Sequence, residues 1–119
     1  MIEQGLQQEI NMVMTEARNR RLEFVTVEHL LLALLNMDEV ISFLRGKRVN
    51  IDELRAELDQ YIDSHTPIIS EDAEIDIVPT VGFQRVLQRS VYQAQSAQKN
   101  SVNAMNVFVS IFSEKESHA

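Results

Sequence analysis

The chain has 119 residues, of which 45% are hydrophobic, and this is enough material for one domain with a packed core. A formal net charge of −7 opposes binding to nucleic acid, and the absence of cysteine excludes disulfides, thiolate metal sites and thiol nucleophiles. The first residues lack the pattern of a signal peptide, and the longest apolar run is too short to cross a bilayer, so we expect a cytoplasmic protein without membrane contact.

The first half of the chain predicts four helices. Apolar residues at spacings of three and four predict a first helix, and Thr26 is the expected N-cap of a second helix over 27–35, which is apolar on nearly every face. Capping-box patterns at Asn36 and Asn50 predict the start of a third and a fourth helix, and Gly46 is expected to end the third. The stripe of the first helix consists of Ile2, Leu6, Ile10, Val13, Met14 and Ala17.

Residues 64–79 interrupt this pattern, because acidic residues alternate there with isoleucines between two prolines. We interpret the segment as an extended acidic linker. Helical patterning then resumes, and Asn103 is the expected N-cap of a helix over 104–112 that is again apolar almost all round. The apolar stripe of the helix before it consists of Phe83, Val86, Leu87, Val91 and Ala94.

One offset relates the two halves. Adding 77 to a residue number takes Thr26 to Asn103. The same offset takes four residues of the first apolar stripe onto the second without a gap: Leu6 to Phe83, Ile10 to Leu87, Met14 to Val91 and Ala17 to Ala94. The predicted fold is therefore all-α, with two pseudo-symmetric four-helix repeats: about 2–63, the linker 64–79, and about 80–119. A capping box at Ser113 predicts a helix that the last residue, Ala119, cuts short, so we expect the second repeat to be incomplete and the chain to belong to a longer protein.

A search for catalytic chemistry finds no phosphate-binding loop, no metal-ligand spacing around the three histidines and no nucleophile motif. We therefore predict a segment that is not an enzyme and holds no metal or other cofactor. His29 is interpreted as a structural residue. Arg85 and Arg89, one helical turn apart, are either ion-pair partners of acidic residues such as Glu23 and Glu28 or interface anchors, and the residues alone slightly favour ion pairs.

Three segments resemble a known family. The segment Phe24–Leu35 (FVTVEHLLLALL) resembles the signature of the Clp N-terminal repeat. The segments Phe83–Arg89 (FQRVLQR) and Ile111–Ser117 (IFSEKES) resemble the ClpA subgroup rather than ClpB or ClpC. The resemblance covers the whole chain.

This resemblance implies a domain that precedes two ATPase modules in a hexameric unfoldase ring, which threads proteins into the ClpP peptidase. ATP and magnesium would belong to those modules and not to this segment. The domain would dock the adaptor ClpS and touch unfolded protein substrates. By position in the motifs, the adaptor-binding residues would be Glu23, Glu28, Thr80, Arg85 and Arg89. The alternative within the family is a general module for unfolded proteins, of the ClpB or ClpC type.

Two other classes of function rank lower. A helix-turn-helix module for nucleic acid conflicts with the net charge of −7 and with the lack of a basic face. A small metal-dependent or hydrolytic enzyme would have to rely on Glu28 and His29, which are adjacent in the chain.

Overall fold

The computed structural model describes residues 2–66, 78–99 and 101–111, and over these ranges the chain is mostly helical. Six helices and two very short strands follow one another in the described part of the chain. Their bounds are α1 Gln4–Asn19, β1 Phe24–Val25, α2 Val27–Leu34, α3 Asp38–Gly46, α4 Ile51–His65, β2 Val78–Pro79, α5 Val81–Ser96 and α6 Ala104–Ile111. The predicted all-α class is confirmed.

The internal duplication is visible in the backbone. Helix α5 begins and ends 77 positions after α1, and helix α6 begins 77 positions after α2. Each first helix ends in the same turn, in which Arg21 and Gln98 take left-handed conformations with φ of 57° and 60°. The N–H of the next residue then donates to a carbonyl oxygen of the helix. Leu22 N donates to Ala17 O, and the equivalent pair 77 positions later forms the same hydrogen bond. The predicted pseudo-symmetry is therefore present at the level of single hydrogen bonds.

The two units exchange short extended segments. Strand β1 pairs in parallel with β2, and Thr80 N donates to Val25 O at 2.9 Å. The equivalent pairing joins Ile2 to Val102, with Glu3 N donating to Val102 O at 2.9 Å. Each unit thus lends the residues before its first helix to the other unit. Strands of two residues show no period in a sequence, so periodicity could not predict them.

Helix α2 is the centre of the core, as its all-round apolar pattern predicted. It contacts α1, α4, α5 and α6, and Leu30 and Leu34 have no exposed surface. One continuous apolar cluster joins the two units. The aromatic ring of Phe43 on α3 meets Phe108 on α6 edge to face, with 5.8 Å between the ring centroids.

One predicted helix end is wrong. Asn36 does not cap α3, because its N–H donates to Ala33 O in the turn that ends α2; the N-cap is Met37, without a side-chain hydrogen bond. Gly46 is the last residue of α3, as predicted, and the left-handed residue beyond the helix is Arg48, with φ of 60°. The predicted cap at Asn50 is also confirmed, since its Oδ1 accepts from Glu53 N at 3.1 Å.

The linker prediction needs a correction at both ends. Helix α4 continues to His65, past the expected start at position 64, and Val78–Pro79 forms β2. Pro79 is tolerated in this strand because Thr80, and not Pro79, donates the next hydrogen bond to β1. The rest of the linker, at 67–77, and the capping box at Ser113 lie outside the described residues.

Candidate docking surface

The pairing of β1 with β2 brings predicted site residues from both units together. Glu23 immediately precedes β1, and its carbonyl oxygen accepts from Val78 N at 3.3 Å. Thr80 immediately follows β2, so the two residues lie at opposite ends of the same strand pair. The side chain of Glu23 is exposed and that of Thr80 is half-buried. This juxtaposition places a carboxylate and a hydroxyl beside the junction of the units.

Thr80 also has a structural task. It is the N-cap of α5, and its Oγ1 accepts a hydrogen bond from Phe83 N at 3.2 Å. One of the first free N–H groups of the helix is thereby satisfied. The hydroxyl keeps its own hydrogen, which it can donate to a partner.

A cleft of about 280 Å³ opens beside this junction, and we call it the interrepeat cleft. It contains Glu28 and Thr80 of the predicted site. Glu28 is only 5% exposed, so a partner could contact it only from inside the cleft. The lining residues are Thr26, Val27, Glu28, Tyr61, His65, Thr66, Thr80, Val81 and Gly82.

Apolar side chains at this junction are exposed. Val78 is 47% exposed and Val81 is 58% exposed, although both belong to regular elements. The rings of Tyr61 and His65 stack at the end of α4, with 4.0 Å between their centroids. No pattern in the sequence singled out these four residues, because the cleft forms only when the end of α4 is brought to the start of α5.

The structure separates the two predicted arginines. Arg85 is exposed on α5, one turn after Val81. Arg89 is half-buried, and its Nη1 donates to Ser110 O of α6 at 3.3 Å. The bond that the structure shows for Arg89 is thus to a carbonyl oxygen within the fold and not to Glu23 or Glu28.

His29 is a structural residue, as predicted, and it acts as a hydrogen-bond acceptor, which was not predicted. Its Nδ1 accepts a hydrogen bond from Thr26 N at 3.0 Å, which satisfies the first amide of the α2 cap. Burial, together with the charge of Arg20, lowers the pKa of His29 to about 4. Glu28 and His29 line different clefts, so they do not form a catalytic pair. Within 2–66, 78–99 and 101–111, no cluster of acidic or histidine side chains could hold a metal ion, and no helix is long and apolar enough to cross a membrane.

The arrangement defines a helical domain of two repeats that exchange short strands. The family model of the Clp repeat (R) N-terminal domain, Clp_N, matches residues 1–119, and the chain belongs to this family. The module is helical and non-catalytic.

Relatives and solved structures agree with this assignment. The chain is 36% identical over 115 residues to the ClpA homolog protein of Fuscovulum blasticum; the match covers 96% of this chain and 14% of that relative. The N-terminal domain of Hsp104 from Candida albicans superposes with a TM-score of 0.82 at 12% identity, covering 97% of this chain and 75% of the other. The N-terminal domain of the ClpV1 ATPase from the E. coli EAEC Sci1 T6SS gives 0.81 at 13% identity, with 97% and 69% covered.

The two kinds of match carry different information. The structural neighbours are below 15% identity, so they show the fold alone. The family match and the ClpA homolog show an N-terminal domain of the Clp ATPase family. The chain spans about 14% of the length of that homolog, so the match does not show an activity of the whole protein.

Proposed function

We propose that this domain docks the adaptor ClpS and unfolded substrates onto a ClpA-type, ATP-dependent unfoldase that delivers proteins to ClpP. The observation that carries the proposal is the pairing of β1 with β2, which has Glu23 and Thr80, from different repeats, at its two ends and the exposed apolar residues Val78 and Val81 beside it. Arg85, one turn further along α5, adds a positive charge to the same end of the helix.

This surface combines the parts that protein interfaces use. Exposed valines supply apolar area that a partner can cover, while Glu23 and Arg85 supply charges of opposite sign for register and specificity. The cleft beside them accepts a protruding side chain of the partner. Arg89 and Glu28 support the surface indirectly, since Arg89 holds α5 to α6 and Glu28 shapes the cleft wall.

Docking of this kind works by tethering. An adaptor bound to the domain raises the effective concentration of its substrate near the ring that unfolds it. Moderate affinity is sufficient, because the adaptor has to be released again after delivery. No chemical step by the domain is required, in keeping with a non-catalytic module.

Calorimetric titration of the chain with purified ClpS tests the proposal. We expect Arg85→Ala to weaken binding about tenfold, the size of one lost charge-assisted contact. Arg45→Ala, an exposed arginine on α3 away from the cleft, is the matched control and should bind normally. Circular dichroism establishes that each variant is folded.

The alternative is a general module for unfolded proteins, and the exposed valines are the feature that favours it. A reduced, unfolded model protein serves as the second ligand in the same titrations. Binding of that protein with no binding of ClpS would replace the adaptor proposal by the alternative. Equal ClpS affinity for Arg85→Ala and the unaltered chain would remove Arg85 from the site.

A further inference from the structure

A groove of about 390 Å³ lies between α3 and the start of α4, and we call it the α3–α4 groove. Its volume is within the usual range for binding sites. It shares no lining residue with the interrepeat cleft, so the two are separate surfaces.

The floor of the α3–α4 groove is aliphatic. Ile41 belongs to α3, Ile51 to the first turn of α4 and Val49 to the turn between them, and all three are half-buried. Val49 and Ile51 also pack against the core of the domain, which fixes the position of the floor. The exposed part of these side chains is apolar area that a partner can cover.

The sides of the groove are positively charged. The segment 40–51 contains three basic residues and no acidic one, in a chain whose net charge is −7. Arg45 and Arg55 line the groove from its two helices, and Arg48 lies in the turn between them. Asp52 is the one carboxylate among the lining residues, so the positive charges of this set exceed the negative charges by two.

None of these three arginines is paired with a carboxylate in the part of the chain that the structure describes. Arg45 and Arg48 are exposed. Arg55 is half-buried, and its Nη2 donates to two neutral acceptors, Leu35 O at 3.1 Å and Asn36 Oδ1 at 3.4 Å. Because a guanidinium has five N–H donors, each arginine keeps donors for an acceptor on another molecule.

The neighbouring acidic residues do not neutralise the groove. Asp38 and Glu39 are in the first turn of α3, whereas Arg45 is in its last turn. Glu53 lies two positions after a groove residue, which places it about 200° round α4 from that residue. Asp52 lies in the first turn of α4, where the N-terminus of the helix itself attracts negative charge. The groove therefore keeps its excess of positive charge.

The helix dipole accounts for only one of the arginines. Arg45, in the last turn of α3, complements the negative end of that helix. Arg48 lies beyond the helix, and Arg55 is near the start of α4, where the dipole favours negative charge. Lys47 is not counted, because its Nζ lies over the ring of Phe43, 5.7 Å from the ring centroid.

The aliphatic floor and the unpaired arginines together suit an acidic peptide. A nucleic acid would carry its phosphates past the ends of a short groove and over the rest of an acidic domain, and its backbone would not cover the floor. We propose that the α3–α4 groove binds an acidic peptide segment of another protein, whose aliphatic side chains cover the floor while its carboxylates accept hydrogen bonds from the three arginines. This binding does not depend on ClpS.

The first test titrates the ¹⁵N-labelled chain with the acetylated and amidated hexapeptide Glu-Leu-Glu-Ala-Leu-Glu. Replacement of its glutamates by glutamine, or of its leucines by serine, should weaken binding about tenfold in each case, because one change removes the charge-assisted hydrogen bonds and the other removes the apolar contact. We expect the largest amide shifts within 41–55. Hexathymidylate is the nucleic-acid probe, and tighter binding of hexathymidylate than of the peptide would overturn the proposal.

The second test removes single charges and keeps the fold. Arg48→Gly suits the φ of 60° at this position, and Arg45→Gln keeps a long side chain in α3. We expect each variant to bind the acidic peptide about tenfold more weakly. Arg18→Gln is the matched control and should bind it unchanged, because Arg18 is exposed in the last turn of α1, close to Arg20, which pairs with Asp63 at the other end of α4.

Several outcomes would overturn the proposal. Equal affinity for the glutamate and glutamine peptides would show that the arginines do not select charge. Equal weakening by Arg18→Gln and Arg45→Gln would show that only the net charge of the domain matters. Amide shifts centred on the interrepeat cleft, or no binding of the peptide by the folded chain, would also exclude the α3–α4 groove as its site.

Discussion

His29 and Asn106, 77 positions apart, accept the same hydrogen bond. His29 Nδ1 accepts from Thr26 N, and Asn106 Oδ1 accepts from Asn103 N, both at 3.0 Å. In the second unit the cap is reciprocal, because Asn103 Oδ1 also accepts from Asn106 N at 2.9 Å. The arrangement is a capping box in which an imidazole and a carboxamide replace the usual Glu or Gln. The two units have thus kept the bond while the residue that makes it has changed.

Removal of either partner of the second cap should destabilise the domain. We expect Asn103→Ala and Asn106→Ala each to lower the free energy of unfolding by about 1 kcal/mol, because each leaves one N–H at the start of α6 unsatisfied. Urea denaturation measures the change. Gln88→Ala, at an exposed position of α5, is the control and should be near neutral. A loss in the control as large as in the two cap variants would contradict the assignment.

These caps show which helix ends could be predicted from the sequence. Thr26 and Asn103 were predicted as N-caps, because a short polar side chain before an apolar run is a local signal. The role of His29 as acceptor was not predicted, since imidazole is outside the usual capping pattern. Among the helix ends, Asn36 fits the pattern but is still held in the last turn of α2, and only the tertiary structure reveals this.

The candidate site was predictable only in part. Glu28 and Thr80 were selected by family resemblance, and the structure brings them into one cleft. The exposure of Val78 and Val81 could not be predicted, since apolar residues at helical or strand spacing are normally buried. Arg89 resembled Arg85 in the sequence, and its contact with α6 depends on how the two helices cross.

That contact makes a separate prediction for Arg89. Its Nη1 donates to Ser110 O, so Arg89→Ala should lower the free energy of unfolding by about 1 kcal/mol, the usual net value of a half-buried hydrogen bond. Arg89→Lys should recover part of the loss, because the ammonium keeps the charge but loses the planar geometry. Urea denaturation of both variants measures this. An unchanged stability of Arg89→Ala would show that the bond to α6 contributes nothing in solution.

The stability of the domain should depend on pH through His29. The pKa of this group is about 4 in the folded chain and near its ordinary value of 6.5 when unfolded. Between these values the unfolded chain binds more protons, so stability falls as pH decreases from 6.5 to 4. The full difference is worth roughly 3 kcal/mol. Thermal denaturation at a series of pH values measures the slope.

His29→Asn is the control for this pH dependence. Glu16 and Asp59 line the same cleft and remain in both chains, as do Arg20 and Arg55, so the comparison of variant with unaltered chain isolates the imidazole. The variant should lose less stability than the unaltered chain across this window. The same slope in both chains would mean that His29 is not the group responsible.

At the end of α3, the direction of a stability change tests the backbone conformation of Gly46. Gly46 lies within the helix, and a Cβ built on it has nothing within 4 Å, so Gly46→Ala should stabilise the domain by about 0.5–1 kcal/mol. Arg48 has a φ of 60°, which glycine adopts without strain, so Arg48→Gly should be neutral or slightly stabilising. Destabilisation by Gly46→Ala would contradict the helical conformation of Gly46. Urea denaturation distinguishes the two.

We expect the buried valines of the two exchanged segments to contribute equally to the stability of the domain. Val25 and Val102 are buried, at 0% and 1% exposure, and each carries the carbonyl that receives the other unit's N–H. Truncation of either to alanine removes two buried methyl groups, so we expect each variant to lose about 2 kcal/mol of unfolding free energy. Val81→Ala, exposed at the junction, should lose little. A loss confined to Val25→Ala would show that Val102 is not packed in solution as Val25 is, whereas equal losses show that the core packs alike beside both exchanged segments.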